Sequence, residues 1–250
     1  MIRRVTSPYA QDGFRVGFDW GPVGAEVVAG NIVAVVDVLS FTTAVTVAAD
    51  LGIEVYPYRW RDETAVAYAK QYDAHLAVGR SEAGPGEVSL SPVTIRQAEG
   101  IQRLVLPSPN GSTICQQLSD SGATVLAVSL RNRLAAAEWV NAHLSAHPNL
   151  NVVAIAAGER WKDGSLRPAV EDLWGAGGFL AALDVDGFSP EAKAAAAAYK
   201  DADLPTHLYD CAGGRELTQY GFPEDVAIAA ELDSSQSVPV LRDGRMTAST

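Results

Sequence analysis

The chain has 250 residues, of which 48% are hydrophobic and 20% are charged, and this balance excludes an intrinsically disordered protein. The formal net charge of −11 disfavours nucleic acid and anionic membrane surfaces as partners. Two cysteines make no disulfide framework, and the basic residues at 3–4 are followed by neither a signal-peptide core nor a membrane-length apolar run. We therefore expect a cytoplasmic protein with buried free thiols.

Short β-like runs alternate with helix-like runs over the first two-thirds of the chain. Residues 32–39 form a continuous apolar, β-branched run, which is typical of a strand buried on both faces. The pattern predicts strands at 32–39, 53–58, 75–79, 103–107, 123–129 and 151–157, and helices at 42–50, 61–72, 111–119, 132–145 and 169–183. This alternation predicts an α/β fold with three α/β/α layers and a mostly parallel sheet.

The last third of the chain departs from this alternation. Residues 190–200 are Ala-rich and helical, and residues 213–232 predict two short helices, the second beginning at Pro223. Residues 238–241 predict a terminal strand that leads into a turn. We expect a helical C-terminal addition to a single domain covering 1–250, with a subdivision near 186–212 as the alternative.

Polar clusters follow the carboxyl ends of several predicted strands. In a parallel α/β sheet these ends share one edge, where ligands bind. The clustered residues are Asp37, Ser40, Thr42 and Thr43 after the first predicted strand, Asn110, Gly111, Ser112 and Thr113 after the fourth, Ser129, Arg131 and Asn132 after the fifth, and Glu159 and Arg160 after the sixth. We expect them to lie around one ligand site.

The cluster at 110–113 has two interpretations. A glycine, two hydroxyls and the free N–H groups of a helix start suit an anion such as phosphate. Asn, Ser and Thr are also common helix N-caps. Asp37 likewise needs a partner, because a carboxylate that closes an apolar strand costs free energy when it is buried alone.

Glu171 and Asp172 fall in the first turn of the predicted helix 169–183. They could simply pair with the helix dipole. Alternatively, they could join Asp37 and Glu159 as oxygen ligands of Mg²⁺, which prefers carboxylates together with a substrate phosphate. A metal ion would also attract an anionic substrate to an acidic protein.

These motifs, taken in order, resemble those of the 2-phosphosulfolactate phosphatase (ComB) family. Residues 35–39 with Thr42 and Thr43, the segments 108–113, 129–132 and 156–159, the acidic pair 171–172 with the glycines at 175 and 177, and the tail from 214 to 239 each have a similar element in that family. The resemblance covers about residues 30–245 and implies a ComB-like α/β fold. Ser40 stands where the family motif usually has Arg, and we expect Arg80, Arg131 or Arg160 to supply that charge.

The resemblance implies Mg²⁺-dependent hydrolysis of 2-phospho-3-sulfolactate to 3-sulfolactate and phosphate. We expect Asp37, Glu159 and Asp172 to be catalytic and Asp37, Glu159, Glu171 and Asp172 to hold Mg²⁺. The expected substrate contacts are Ser40, Thr42, Thr43, Arg80, Asn110, Gly111, Ser112, Thr113, Ser129, Arg131, Asn132 and Arg160.

The alternative function is a non-catalytic binding or sensor protein for a phosphorylated or acidic metabolite. Such a protein would keep residues 110–113 but would need no metal ligands. The expected partners are a small anionic phosphate ester and a second copy of the chain in a homodimer.

Overall fold

The computed structural model describes residues 7–28, 30–59 and 62–249. After a short 3-10 turn at Pro8–Ala10, the strands are β1 (Val16–Trp20), β2 (Ile32–Val36), β3 (Glu54–Tyr58), β4 (His75–Leu76), β5 (Arg103–Pro107), β6 (Thr124–Val128), β7 (Val152–Ala156), β8 (Glu159–Arg160), β9 (Leu166–Arg167), β10 (Val238–Arg242) and β11 (Arg245–Ser249). The helices are α1 (Gly21–Val27), α2 (Phe41–Asp50), α3 (Glu63–Gln71), α4 (Pro92–Arg96), α5 (Gly111–Leu118), α6 (Arg133–Ala146), α7 (Val170–Ala181), α8 (Pro190–Asp201), α9 (Thr206–Asp210), α10 (Ala212–Gln219) and α11 (Pro223–Ala229).

Nine strands form one mixed sheet in the order β1-β7-β2-β6-β10-β11-β3-β5-β4. The first four are parallel to one another, and so are the last three. The β10–β11 hairpin joins the two groups through three successive antiparallel pairings. An odd number of antiparallel steps reverses direction, so β3, β5 and β4 run opposite to β6 along the sheet.

The two faces of the sheet carry different helices. On one face, Val33 and Val35 of β2 belong to a core with α1, α2 and α5. On the other, Ile32, Ala34 and Val36 pack with α6, α7 and α8. Strand β2 is buried at all five positions because helices cover both faces, which is why its sequence is continuously apolar.

Helix α2 is buried at every position from 41 to 48. It contacts β3, β6, β10 and β11 and also α4 and α5. Because α2 and α5 lie against the same sheet face, the start of α5 reaches the end of β2 although β5 belongs to the opposite parallel group.

The predicted α/β class with a mostly parallel sheet is confirmed, and so are the predicted helices of the last third. The start of the helix predicted at 61–72 lies outside the described residues, and α3 begins at Glu63. The pattern missed β1, α1, α4, α9, β11 and the small β8–β9 hairpin. The tail strand predicted at 238–241 lies in the middle of the sheet, where it pairs with β6.

None of the described helices is long and apolar enough to cross a membrane.

Candidate active site

Asp37 lies directly after β2, at the starts of two helices. Its Oδ1 accepts a hydrogen bond from the Phe41 backbone N–H at 3.2 Å, and its Oδ2 accepts one from the Gly111 N–H at 2.8 Å. The Thr42 hydroxyl fixes the turn by donating to the Asp37 backbone carbonyl at 2.8 Å. The carboxylate therefore faces the N-termini of α2 and α5, which favour negative charge.

Asp172 connects the carboxyl ends of two neighbouring strands. One of its oxygens accepts from the Val38 N–H at 2.7 Å, and the other from the Gly158 N–H at 2.9 Å. Because both segments follow strands of the same parallel group, this buried side chain holds the two loops together. Asp172 and its neighbour Glu171 both lie in the first turn of α7. The contacts of Asp172 therefore hold Glu171 near the ends of the same two strands.

Glu171 is 2% exposed, and its Oε2 has no hydrogen-bond partner within the described part of the chain. A Cβ atom on Gly213 would lie 2.3 Å from Glu171 Oε1, so only glycine leaves room for this carboxylate at the start of α10. Burying a polar oxygen without a partner is costly. Glu171 Oε2 can therefore still accept a hydrogen bond or bind a cation.

Glu159 follows Gly158 on the β8–β9 hairpin and is half-buried. Its Oε2 accepts a hydrogen bond from Asn110 Nδ2 at 3.0 Å. Burial and, next, the negative charge of Asp37 raise the pKa of Glu159 to about 7. Its carboxyl group can therefore gain or lose a proton near neutral pH.

The pKa values of the two aspartates, Asp37 and Asp172, are raised as well. Burial raises the pKa of Asp37, although the Gly111 and Phe41 N–H groups and the charge of Arg80 oppose the shift. Burial, followed by the charges of Asp37 and Glu171, raises the pKa of Asp172 well above its usual value. The charge of Glu171 thus adds to the rise in the pKa of Asp37, and the charges of both residues add to that of Asp172 and of Glu159.

Arg80 is the predicted arginine that the structure brings to this cluster. Its Nη2 donates to Ser40 Oγ at 2.5 Å, three residues beyond Asp37. Its Nε pairs with Asp225 Oδ2 at 2.7 Å, and Ser91 donates to the other oxygen of that aspartate. The guanidinium is thus held on two sides beside Ser40, the position at which the resemblance implies a missing arginine.

Two other predicted arginines lie elsewhere. Arg131 bonds Thr46, Asp50 and Glu231 rather than any of the four carboxylates. Arg160 is exposed and donates to the Gly164 carbonyl. These contacts hold both arginines away from the four carboxylates, so neither supplies the charge that was expected beside Ser40.

The predicted polar groups after β6 form hydrogen bonds within the protein. Asn132 Oδ1 accepts from the Ser129 N–H, and its Nδ2 donates to the carbonyls of Ala127 and Ser237. Ser129 Oγ accepts from the Arg131 N–H. Satisfied buried side chains of this kind close a turn and hold the tail against β6.

The hydroxyls predicted to cradle phosphate donate to backbone carbonyls. Ser112 Oγ bonds Leu106, Thr113 Oγ1 bonds Pro109 and Thr43 Oγ1 bonds Val38, all at 2.8–2.9 Å. The first N–H groups of a helix have no partner within that helix. The Gly111 N–H is taken by Asp37, so the next amides of α5, those of Ser112 and Thr113, are the groups available to an anion.

Sequence reasoning missed three residues of this region. Asp225, which holds Arg80, read only as an acid in the first turn of α11. Arg167 lowers the pKa of Glu159 from across the hairpin but lay in a predicted loop. Gly213 begins the run at 213–232 that predicted two short helices. None of the three was chosen as a site residue, because a local pattern does not show which groups each residue contacts in the fold.

Among the residues that the structure describes, no three Asp, Glu, His or Cys side chains form a metal-binding group. The predicted shell of Asp37, Glu159, Glu171 and Asp172 does not converge as one group of ligands, although each Asp37 oxygen keeps a lone pair beyond its single N–H bond. Mg²⁺ usually needs only one or two carboxylates, with water and substrate phosphate completing its shell. The metal assignment stays a prediction.

The elevated pKa of Glu159 makes stability depend on pH. Because the folded-state value of about 7 exceeds the ordinary 4.5, the contribution of Glu159 is fully present below pH 4.5 and is lost as pH rises through 7. Without metal, Glu159→Gln should match wild type near pH 4.5 and be more stable at pH 8, by up to about 3 kcal/mol. Urea unfolding in EDTA measures this difference.

The control for this prediction is Glu138→Gln, which removes an exposed carboxyl group on α6. Its stability relative to wild type should hardly change between the two pH values. An equally constant difference for Glu159→Gln would contradict the assigned environment of Glu159.

Comparison with known proteins now connects this geometry to a family. The family model for 2-phosphosulpholactate phosphatase matches residues 24–244. A 2-phosphosulfolactate phosphatase of Methanothermobacter thermautotrophicus is 29% identical over 214 residues, or 84% of this chain and 87% of that protein. A probable 2-phosphosulfolactate phosphatase of Thermus thermophilus is 30% identical over 221 residues, or 85% and 88%. The chain belongs to the 2-phosphosulfolactate phosphatase family.

Proposed function

We propose that this chain is a Mg²⁺-dependent phosphatase that hydrolyses 2-phosphosulfolactate or a related 2-phospho acid to the hydroxy acid and phosphate. The observation that carries the proposal is the position of Asp37 at the starts of α2 and α5, with Arg80 and three more acidic side chains around it. Membership of the family supports the reaction class.

The chain's own groups would bind and orient the phosphate ester. The Ser112 and Thr113 N–H groups in the first turn of α5 would bind phosphoryl oxygens. Arg80, already fixed by Asp225 and Ser40, would pair with the substrate carboxylate or with phosphate. Fixing both ends of a small ester places its phosphorus within reach of an attacking water.

Glu159 would move the proton. In the reaction a water oxygen bonds to phosphorus, the ester P–O bond breaks, and the leaving alcohol oxygen keeps the electron pair and gains a proton. With a pKa of about 7, Glu159 could accept a proton from water or give one to the alcohol. Asn110 keeps its carboxyl group oriented towards the start of α5.

Asp37 and Glu171 are the two carboxylates that would hold Mg²⁺, with Glu159 and Asp172 beside them. The unpartnered Oε2 of Glu171 fits a divalent cation. A bound Mg²⁺ would neutralise charge on the phosphoryl group.

Metal binding gives a prediction that does not depend on activity. Mg²⁺ at 100 times its dissociation constant should stabilise the folded protein by about 2.7 kcal/mol. Glu171→Gln should lose most of this gain, because it removes the charge that faces the cation. Thermal unfolding with and without Mg²⁺ measures the gain, and Glu138→Gln should retain it. An equal gain in Glu171→Gln would exclude Glu171 as a ligand.

The proposed function is tested with a panel of small phosphate esters that includes 2-phosphosulfolactate, phospholactate and phosphoglycerates. Mg²⁺-dependent phosphate release from the 2-phospho acids supports the proposal. The non-catalytic sensor is the second candidate, because no three potential ligands of the described residues converge. Folded protein that binds these esters and hydrolyses none of them would favour the sensor.

A further inference from the structure

A pocket of about 500 Å³ opens beside the carboxylate cluster. It is lined by Arg80, Ser81, Leu90, Leu217, Tyr220 and Phe222. This volume lies within the usual range for small-molecule sites, which are concave, mostly apolar and supplied with a few polar groups. Four of the six lining side chains are apolar or aromatic, so the pocket favours an apolar group.

Arg80 joins this pocket to the anion site. Its Nη2 bonds Ser40 at the start of α2, whereas its Cζ lies 5.9 Å from the centre of the Phe222 ring. The same guanidinium group thus lies between Asp37, whose pKa it lowers, and the aromatic wall of the pocket. A ligand paired with Arg80 would have its remaining atoms beside Phe222.

Helix α10 provides a second connection. Gly213 lies against Glu171, and Leu217 follows it by four residues. Residues four apart share one face of a helix. The face of α10 that contacts the carboxylate cluster therefore continues as a wall of the pocket one turn later, and Tyr220 lies at its exposed end.

We propose that the pocket binds the leaving group of the substrate, and that the preferred substrate is the phosphate ester of a 2-hydroxy acid with an aromatic or branched apolar side chain. This inference rests on the proposed function and specifies its substrate class. The carboxylate pairs with Arg80, and the apolar side chain packs among Leu90, Leu217, Tyr220 and Phe222. A charged side chain gains less there, because it must lose water against apolar walls.

The test compares kcat/KM for the phosphate ester of 3-phenyllactate with that for phospholactate, which lacks the ring. The wild-type ratio should be about 10 or higher, since apolar contacts in a pocket discriminate by about 10- to 200-fold. Tyr220→Ala and Leu90→Asn should each reduce the ratio several-fold, because each removes a pocket wall that the phenyl ring would contact. Tyr209→Ala, which removes a partly exposed tyrosine outside the pocket, should keep the wild-type ratio.

A wild-type ratio of 1 or less would overturn the inference. So would a ratio that stays at the wild-type value in both pocket variants. Hydrolysis of phospholactate in the same assay would still support the proposed function. If neither ester is hydrolysed but 2-phosphosulfolactate is, the inference fails and the proposed function stands. If none of the three is hydrolysed, the proposed function fails, and calorimetry with the matching non-hydrolysable phosphonates decides the inference. Tighter binding of the phenyl-bearing phosphonate that is lost in Tyr220→Ala supports the pocket, and equal or weaker binding excludes it.

Discussion

Asp37→Asn should reduce Mg²⁺-dependent phosphate release by about 100-fold or more. The substitution removes the charge of a carboxylate that faces two helix starts, lies beside Arg80 and Glu171 and is proposed to hold the metal. Losing several kcal/mol of charge stabilisation corresponds to this change in rate. The measurement is kcat/KM for 2-phosphosulfolactate at saturating Mg²⁺.

The fold should tolerate this substitution. Burial raises the pKa of Asp37, so ionising this carboxyl group costs the folded protein stability as the pH rises, and a neutral amide avoids that cost at pH 7. Against this, the amide group loses one hydrogen bond from Phe41 or Gly111, which costs about 1–3 kcal/mol. Asp120→Asn, at an exposed position, is the control. Retained activity in folded Asp37→Asn would remove Asp37 from the mechanism.

Gly111→Ala should impair both stability and activity. A Cβ atom there would lie 2.4 Å from the buried ring of Phe41 and 2.8 Å from Asp37 Oδ2. The ring has no free space, so the start of α5 must move away from Asp37. We expect a loss of about 1–3 kcal/mol in the free energy of unfolding and a fall in kcat/KM of at least about 10-fold.

The matched control for this substitution is Gly84→Ala. Gly84 lies in the loop before α4. A Cβ atom there would approach only the flexible carboxylate of Glu87, at 3.4 Å, among the atoms that the structure describes. Urea unfolding and phosphate release should both remain close to wild type. If Gly111→Ala were equally harmless, the close approach of α5 to Asp37 would not matter for the site.

Local patterns predicted most strands and helices because periodicity and turn residues are local signals. The apolar run that ends at Asp37 identified both a buried strand and its functional end. Adjacent residues such as Glu171 and Asp172 could be assigned to one helix start for the same reason. The opposed directions of β2 and β5 could not be predicted, because they depend on the β10–β11 hairpin entering the sheet from the far end of the chain.

The residues of the candidate site show the same difference between local sequence patterns and long-range contacts. The sequence pointed to Asp37, Glu159 and Asn110, which lie next to strand ends. It offered Arg80, Arg131 and Arg160 equally, and only long-range contacts separate them. Arg80 reaches Ser40 through its pairing with Asp225, 145 residues away, whereas Arg131 pairs with Asp50 and Glu231. Charge and residue type alone could not choose among them.

We propose that these residues form a Mg²⁺-dependent phosphatase site for 2-phospho acids. The most direct test follows phosphate release from 2-phosphosulfolactate and phospholactate by metal-stripped wild-type protein while Mg²⁺ is added. We expect release to begin only with Mg²⁺ and to saturate as the ion stabilises the fold. Absence of release from both esters by folded, Mg²⁺-saturated protein would contradict the claim.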